Sequence, residues 1–265
     1  MRDGDFSTIT YAVVEPGAAL VTLDRTARLN AINLAMLDDF ARLYAALAAD
    51  DAVRVVIITG NGKGFCSGAD LVDGADLKNA GYFADPHTYL HAVQERYSAL
   101  IMGLRAIPQP IIAAVNGGAA GGGFCLALAS DIRIATPEAY FVASFANIGL
   151  SGGELGSSYL LPRLVGLSQA AEILYTGRKV MADEAERIGL VSAVVPRPQL
   201  METALGFART MAAKSVGGLR QTKRVLDQNI DAPSLAAAVE IENRNQTLLV
   251  FSGDFARLVM GFAQK

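Results

Sequence analysis

The sequence predicts an α/β fold that is followed by a helical C-terminal region. Apolar, β-branched runs of strand length recur along the chain, and they lead through loops of small residues to helix-prone segments. Glycine-rich loops at strand ends are typical of sheets whose sites lie at the carboxyl edge. Beyond Gln199 the apolar residues follow helical spacing. With 265 residues, 52% of them apolar, the chain can bury one large core.

The N-terminal part supplies the first strands and the first helix. Residues 9–14 and 19–23 read as strands, and the Glu-Pro-Gly segment between them predicts a hairpin turn. A helix is expected from about Asn33, because apolar residues then recur every three or four positions. Residues 53–59 form a continuous apolar run, which predicts a buried parallel strand.

The rest of the chain repeats this pattern and then becomes helical. The expected strands cover Ile111–Val115, 131–135, 140–145 and 191–195, and the expected helices cover 93–104, 124–129, 168–176 and 182–188. Residues 73–91 have no clear period and are interpreted as a flap. Three or four amphipathic helices are expected from Gln199 onward. We therefore predict a mixed core over residues 1–196 and a helical region over residues 197–265.

The sequence from Ala113 to Asp131 contains a glycine stretch that needs a physical reason. Gly121, Gly122 and Gly123 open a helix-prone run, although each glycine there costs more backbone entropy than an alanine. The free N–H groups of a helix N-terminus carry partial positive charge. We therefore expect this turn to hold an oxygen that becomes negative during a reaction. The alternative is that the glycines serve only tight turns.

Several functional classes are excluded by composition and motif spacing. The formal net charge of −3, without a dense basic block, argues against a nucleic-acid surface. Two cysteines favour a reducing compartment over a disulfide framework, and the N-terminus has no secretory apolar region, so a cytoplasmic protein is expected. Prolines, Asn116 and glycines interrupt the apolar stretch 107–129, so no membrane span is expected. The glycine loops match neither the P-loop nor the dinucleotide-binding spacing.

Motifs along nearly the whole chain resemble the crotonase (enoyl-CoA hydratase/isomerase) superfamily. They are L-N-A-I at 29–32, V-I-I-T-G…F-C-S-G-A-D-L at 55–71, A-A-V-N-G…G-G-G at 113–123, D-I-R-I-A at 131–135, L-L-P-R-L-V-G at 160–166 and T-G-R…A-D-E-A…G-L-V at 176–191. This resemblance implies a spiral of β-β-α units with a C-terminal α-helical region. It also implies an acyl-CoA thioester substrate, with coenzyme A as part of the substrate and no further cofactor or metal.

The resemblance assigns an oxyanion hole to two backbone N–H groups. By motif, the donors are those of Ala69, in S-G-A-D, and Gly122, in the middle of G-G-G. Such donors stabilise the enolate oxygen of a thioester, and losing one typically costs about 100- to 1000-fold in rate. This assignment agrees with the charge-holding role expected for the glycine stretch.

The resemblance also implies coenzyme A contacts and an oligomer. Arg28 beside Ala31, the segment of Ser67, Gly68, Ala69, Asp70 and Leu71, and the C-terminal Phe262 and Lys265 match positions that contact coenzyme A in the family. The alternatives are that Arg28 is only a solvated charge and that Phe262 serves only ordinary helix packing. A homotrimer or a dimer of trimers is expected, with Phe255, Leu258, Val259 and Phe262 as an apolar stripe.

Two positions depart from the hydratase pattern. Cys125 and Phe145 stand where hydratases of the family carry their two catalytic glutamates. Neither can act as a carboxylate base, and a thiol in an apolar helix is expected to be inert. A two-glutamate hydration mechanism is therefore not expected.

Glu154, in a glycine-rich loop, is the candidate acid that remains. Other branches of the family carry a catalytic carboxylate in this loop, although the alignment needs a shift of one residue. The alternatives for Glu154 are a helix cap or an exposed loop acid, and His87, His91, Asp76 and Glu95 are other candidate acids or bases.

A single acid beside an oxyanion hole favours an acyl-CoA isomerase or lyase that shuttles one proton. The alternatives are an acyl-CoA hydrolase or decarboxylase, or a CoA-binding protein without catalysis. A role in RNA binding lacks a basic helix.

Overall fold

The computed structural model describes residues 5–72 and 81–263, and a six-stranded sheet lies at its centre. The spatial order is β1-β2-β3-β4-β6-β9. The strand bounds are β1 Ile9–Glu15, β2 Ala18–Leu23, β3 Val55–Gly60, β4 Ile111–Val115, β6 Ile132–Ala135 and β9 Ala193–Val194. A smaller three-stranded sheet has the order β5-β7-β8, with β5 Ala119–Ala120, β7 Tyr140–Val142 and β8 Val180–Met181.

Parallel pairing brings two strand ends to the same edge of the large sheet. β1 and β2 form the predicted antiparallel hairpin, whereas β2, β3, β4, β6 and β9 pair in parallel. In the register of β3 and β4, Thr59 lies beside Ala114. The loops that follow Gly60 and Val115 therefore start next to each other. This is the edge at which sites of parallel sheets form.

The helices follow the expected α/β order and end in a helical region. Their bounds are α1 Leu34–Ala48, α2 Pro86–Tyr89, α3 Glu95–Ala106, α4 Gly122–Ala129, α5 Ser157–Val165, α6 Leu167–Thr176, α7 Ala182–Arg187, α8 Leu200–Ala212, α9 Val216–Asn229, α10 Leu235–Val250 and α11 Gly253–Ala263. Asn33 caps α1 by accepting a hydrogen bond from the Met36 N–H at 3.0 Å. The last four helices match the predicted amphipathic tail.

Several predicted bounds were wrong. β7 ends at Val142, before the predicted 145, because the chain enters a short helical turn at Ala146–Ile148. β9 is also shorter than the predicted 191–195. No bounds were predicted for the helix after Glu154, which is α5 at Ser157–Val165. Of the predicted flap, residues 73–80 lie outside the described residues, while α2 occupies part of its second half.

Two apolar clusters cover the two faces of the large sheet. One face packs against α1, α3 and α4, with large buried side chains such as Phe40, Leu104 and Phe124. The other face packs against α8 through Leu200, Ala204 and Ala208. The sheet is thus buried on both sides, which explains the continuous apolar runs of its parallel strands.

The C-terminal helices leave apolar side chains exposed. Phe251 is 86% exposed, and Phe255, Leu258 and Val259 of the predicted stripe are exposed as well. No helix within the described part of the chain has both the length and the hydropathy to cross a bilayer.

Candidate active site

Two loops meet at the carboxyl edge of the large sheet. The first follows β3, and the second connects β4 to α4. The Ala120 N–H donates to the Cys66 carbonyl at 2.9 Å, and the N–H groups of Phe65 and Cys66 both donate to the Gly118 carbonyl at 3.1 Å. The loops are therefore joined through their backbones.

Two glycines allow this close approach. A Cβ on Gly123 would lie 2.2 Å from the Cys66 carbonyl oxygen, so only glycine fits where α4 meets the first loop. Gly68 has φ +91°, and a Cβ there would lie 2.8 Å from the Ala120 carbonyl oxygen. The glycines of both loops are thus required by backbone packing.

Bridge geometry fixes the direction of the Ala69 N–H. The Ile32 N–H donates to the Gly68 carbonyl at 2.7 Å, and the Asp70 N–H donates to the Ile32 carbonyl at 2.8 Å. In such a parallel bridge the polar groups of the intervening residue point away from the partner, so the Ala69 N–H faces away from Ile32.

Gly122 is the first residue of α4, where a backbone N–H has no helical partner. A Cβ on Gly68 would lie 3.2 Å from the Gly122 nitrogen, which brings the two loops together at this donor. Across residues 5–72 and 81–263, neither the Ala69 nor the Gly122 N–H donates to a protein acceptor. Each of the two N–H groups can therefore donate to a bound ligand.

A pocket of about 270 Å³ adjoins these donors. Its lining combines the backbone of the two loops with aromatic, aliphatic and a few polar side chains. The lining residues are Ser67, Gly68, Ala69, Leu71, Tyr89, Gln94, Tyr97, Gly121, Gly122, Ser144, Phe145, Ile148, Leu150, Glu154 and Leu155. The structure therefore brings together three residues that the sequence placed in the site: Ala69, Gly122 and Glu154.

Glu154 is held in this pocket by its backbone. Its N–H donates to Ser157 Oγ at 2.9 Å, and its carbonyl accepts from the Ser157 N–H at 2.9 Å and from Cys125 Sγ at 3.4 Å. The next residue, Leu155, has φ +49°, a left-handed conformation that is uncommon for leucine. The surrounding contacts therefore fix an unusual turn beside the carboxylate.

The Glu154 carboxylate has a side-chain partner. Gln94 Nε2 donates to Glu154 Oε1 at 2.5 Å. Glu154 is half-buried, so it is not an exposed loop acid. It is also not the cap of α5, because the N-cap position is Gly156 and no side chain caps this helix. Both alternatives considered for Glu154 are therefore wrong.

Cys125 and Phe145 do not supply a second acid. Cys125 is completely buried in α4, and burial, with the nearby charge of Glu154, raises the pKa of its thiol. The thiol remains protonated at neutral pH and donates to the Glu154 carbonyl. Phe145 contributes an apolar surface to the pocket.

The expected coenzyme A contacts lie around a buried carboxylate. Asp70 is buried, and it pairs with Arg28 at 2.6 Å and with Arg25 at 3.0 Å. Two arginine side chains therefore share one buried carboxylate. Ser67 Oγ donates to the Arg28 carbonyl at 3.4 Å.

The other residues assigned to coenzyme A are distributed differently. Ala31 is buried, whereas Leu71 is exposed and reaches the pocket lining. Phe262 belongs to α11, but its side chain lies outside the described residues, as does the whole of Lys265.

His87, His91 and Glu95 are not among the residues that line this pocket. The His87 and His91 rings contact each other at 4.4 Å between centroids, and His91 Nδ1 lies 3.0 Å from Glu95 Oε2 on an exposed helix face. Asp76 lies outside the described residues. Sequence reasoning missed Tyr89, Gln94 and Tyr97, which line the pocket. The Asp-Pro pair at 85–86 was the available signal, because it begins the helical segment that carries them.

Comparison with known proteins agrees with this geometry. The sequence profile of the Enoyl-CoA hydratase/isomerase family matches residues 14–265. A Mycobacterium bovis protein named as a probable enoyl-CoA hydratase is 43% identical over 98% of this chain and 92% of its own length. The 1,2-epoxyphenylacetyl-CoA isomerase of Escherichia coli is 34% identical over 95% of this chain and 94% of its own.

A solved structure adds the three-dimensional match. The structure of a monofunctional enoyl-CoA isomerase from Mycobacterium smegmatis is similar with a TM-score of 0.74 and 44% identity, covering 88% of this chain and 98% of its own. The predicted crotonase-like α/β fold is thereby confirmed. The chain belongs to the enoyl-CoA hydratase/isomerase family, and it is an enzyme that transforms acyl-CoA thioesters.

Proposed function

We propose that this enzyme isomerises the double bond of an unsaturated acyl-CoA with Glu154 as its single acid–base group. The observation that supports this most directly is the placement of one carboxylate in the same pocket as the Ala69 and Gly122 N–H groups. The positions of the two hydratase glutamates are held by Cys125 and Phe145, neither of which can act as a carboxylate.

The proposed reaction moves one proton along the acyl chain. The Glu154 carboxylate removes a proton from Cα of a β,γ-unsaturated thioester, and the resulting dienolate carries its charge on the thioester oxygen. The Ala69 and Gly122 N–H groups hold that oxygen, for which preorganised donors are most effective. Protonated Glu154 then returns the proton to Cγ, which gives the conjugated α,β-unsaturated product. A single general acid–base group can both remove this proton and return it.

The remaining assignments belong to the same proposal. Arg28, Ala31 and the segment 67–71 contact coenzyme A, together with Phe262 and Lys265, and no cofactor or metal is needed beyond the coenzyme A of the substrate. Residues 1–196 form the catalytic core, and residues 197–265 serve assembly and coenzyme A contact. Because both cysteines are unpaired, we place the enzyme in the cytoplasm.

The exposed apolar side chains of α11 support assembly into a homotrimer or a dimer of trimers. Phe255, Leu258 and Val259 would pack against a neighbouring copy, since contiguous exposed apolar surface marks interfaces. Light scattering in solution measures the mass directly. A monomeric mass at micromolar concentration would contradict this assignment.

The substitution Glu154→Gln tests the proposed chemistry. We expect the variant to fold and to bind coenzyme A, but to lose at least about 1000-fold in turnover, because the amide cannot accept a proton. The measurement is the conversion of a β,γ-enoyl-CoA into its conjugated isomer, with exchange of the Cα proton in D₂O as a second readout. Glu95→Gln, which removes an exposed carboxylate on α3, is the matched control and should retain turnover.

The product of the wild-type enzyme separates the alternatives. Addition of water, release of free coenzyme A or release of CO₂ would replace isomerisation by hydration, hydrolysis or decarboxylation. Tight coenzyme A binding without turnover would indicate a silent binding protein. Full turnover by Glu154→Gln would remove Glu154 from the mechanism.

A further inference from the structure

The side chain of Gln94 makes a direct contact with the proposed acid–base group. Its amide Nε2 donates to Glu154 Oε1 at 2.5 Å, across 60 residues of sequence. A hydrogen bond from a neutral amide to a carboxylate favours the ionised form and fixes its rotamer. Gln94 itself lines the pocket, so the pair lies where the acyl group would bind.

The backbone before α3 explains how Gln94 reaches the pocket. Residues Leu90–Gln94 form a wide helical turn, in which the Glu95 N–H donates to the Leu90 carbonyl five residues earlier. In a regular α-helix, residues five apart point about 140° away from each other. The wide turn inserts one extra residue, as is frequent at functional sites. As a result Tyr89 and Gln94, five residues apart, line the same pocket.

We propose that Gln94 is the positioning residue of this enzyme, which orients the Glu154 carboxylate toward the acyl carbon and keeps it competent as a base. This inference rests on the proposed function of Glu154. Gln94 acts through Glu154, because its amide neither accepts nor releases the transferred proton.

The groups that face Glu154 are few, which makes its ionisation open to measurement. Two titratable groups among the described residues respond to its charge: Tyr89, the last residue of α2, and Cys125 of α4. Burial and the charge of Glu154 raise the pKa of both, so both stay neutral near pH 7. Tyr97 from α3 donates its hydroxyl to the Ile32 carbonyl at 2.8 Å. The acidic limb of the pH–rate profile is therefore the readout in which a change at the Gln94–Glu154 pair is expected.

The experiment compares three variants by the pH dependence of kcat and by KM. Gln94→Leu removes the donor, and we expect kcat to fall about 10- to 100-fold at neutral pH with a smaller change in KM. Gln94→Glu keeps the shape but places a second carboxylate beside Glu154. We expect it to move the acidic limb upward by about one pH unit or more, because neighbouring carboxylates cannot both ionise easily. Glu95→Gln, at the next position but outside the pocket, should leave the profile unchanged.

A double variant tests whether the carboxylate must lie at position 154 with an amide at position 94. In Gln94→Glu with Glu154→Gln the amide–carboxylate pair is restored with its members exchanged. We expect thermal stability to recover while turnover stays low, because the carboxylate then lies on the wrong element. Recovery of turnover would show that the reaction does not need a carboxylate at position 154 oriented by Gln94, and it would overturn the inference.

The remaining outcomes distinguish a failure of the Gln94 inference from a failure of the proposed function of Glu154. If Glu154→Gln is inactive while Gln94→Leu and Gln94→Glu keep the wild-type profile, Gln94 has no positioning role and the function of Glu154 stands. If Glu154→Gln retains full turnover, both proposals fail. A rise in KM without change in kcat or in the pH profile would make Gln94 a simple part of the pocket surface and would also overturn the inference.

Discussion

The pocket has two parts that are built differently. The backbone wall consists of Gly68, Ala69, Gly121 and Gly122, and it offers main-chain N–H groups held by contacts between two loops. The side-chain wall consists of Tyr89, Gln94, Tyr97 and Glu154, which come from a helical segment and a distant loop. The backbone wall leaves no space for a Cβ at Gly68, whereas the side-chain wall contains the hydrogen bond between Gln94 and Glu154.

This difference assigns separate tasks to the two walls. The backbone wall provides fixed dipoles that need no reorganisation when charge develops on an oxygen. In the proposed mechanism, the side-chain wall provides Glu154 as the group that moves a proton. Charge stabilisation should therefore be sensitive to steric intrusion, and proton transfer should be sensitive to hydrogen bonding and pH.

The largest loss of turnover is expected when a new Cβ forces apart the two loops that form the backbone wall. In Gly123→Ala the new Cβ would lie 2.2 Å from the Cys66 carbonyl oxygen, so the two loops must separate. Because both N–H donors move, turnover should fall by more than about 1000-fold, and the melting temperature should drop. Gly206→Ala in α8 is the matched control, since a Cβ there meets nothing within 4 Å. The free energy of unfolding of Gly206→Ala should rise by about 0.5–1 kcal/mol. Equal turnover and equal melting temperatures of Gly123→Ala and Gly206→Ala would refute the packing argument.

A smaller effect is expected when one donor is removed without disturbing the loops. Gly122 occupies the first position of α4, where proline is tolerated and its missing N–H costs the helix nothing. Gly122→Pro should lower kcat by about 100- to 1000-fold while α4 is kept. Gly122→Ala keeps the N–H and introduces the same Cβ, which meets the flexible end of Ile32 at 3.0 Å. Similar rates for the proline and alanine variants would exclude the Gly122 N–H as a donor.

The smallest effect, a change of stability with pH, is expected at Cys125. Its thiol donates to the Glu154 carbonyl and so connects α4 to the loop of Glu154. The pKa of this buried thiol is raised above its ordinary value of 9.0, and burial also raises the pKa of Cys66 to about 12. Above pH 9 the thiol ionises in the unfolded chain but not in the folded one, so stability falls as pH rises. The expected loss is about 1.4 kcal/mol per pH unit for each thiol.

Urea unfolding of wild type and Cys125→Ala, followed by circular dichroism from pH 8 to 10.5, measures this contribution. The stability advantage of the wild type should be constant below pH 9 and should shrink above it. A difference that does not change with pH would show that the thiol ionises equally well in the folded state.

Local patterns were sufficient for the buried strands and for the backbone wall. The strand Ile111–Val115 was predicted to the residue, because a β-branched run there is bounded by Pro110 and Asn116. The glycine stretch marked the turn at the start of α4, because three glycines at a helix start need a compensating reason. Both features depend on neighbours in sequence.

The side-chain wall could not be predicted in the same way. Gln94 is 60 residues away from Glu154, and no local pattern pairs them. The wide turn before α3 changes which residues share a helix face, so helical periodicity alone assigns Tyr89 and Gln94 to different sides.

The placement of both proposed oxyanion donors on the main chain has an evolutionary consequence. Ordinary side-chain mutations at Ala69 and Gly122 leave the N–H groups in place as long as the loops keep their shape. Selection could therefore exchange the side chains around the acyl group without first losing the ability to stabilise an enolate. New reactions on the same thioester are then separated by a few substitutions, and each intermediate sequence retains part of the catalytic advantage.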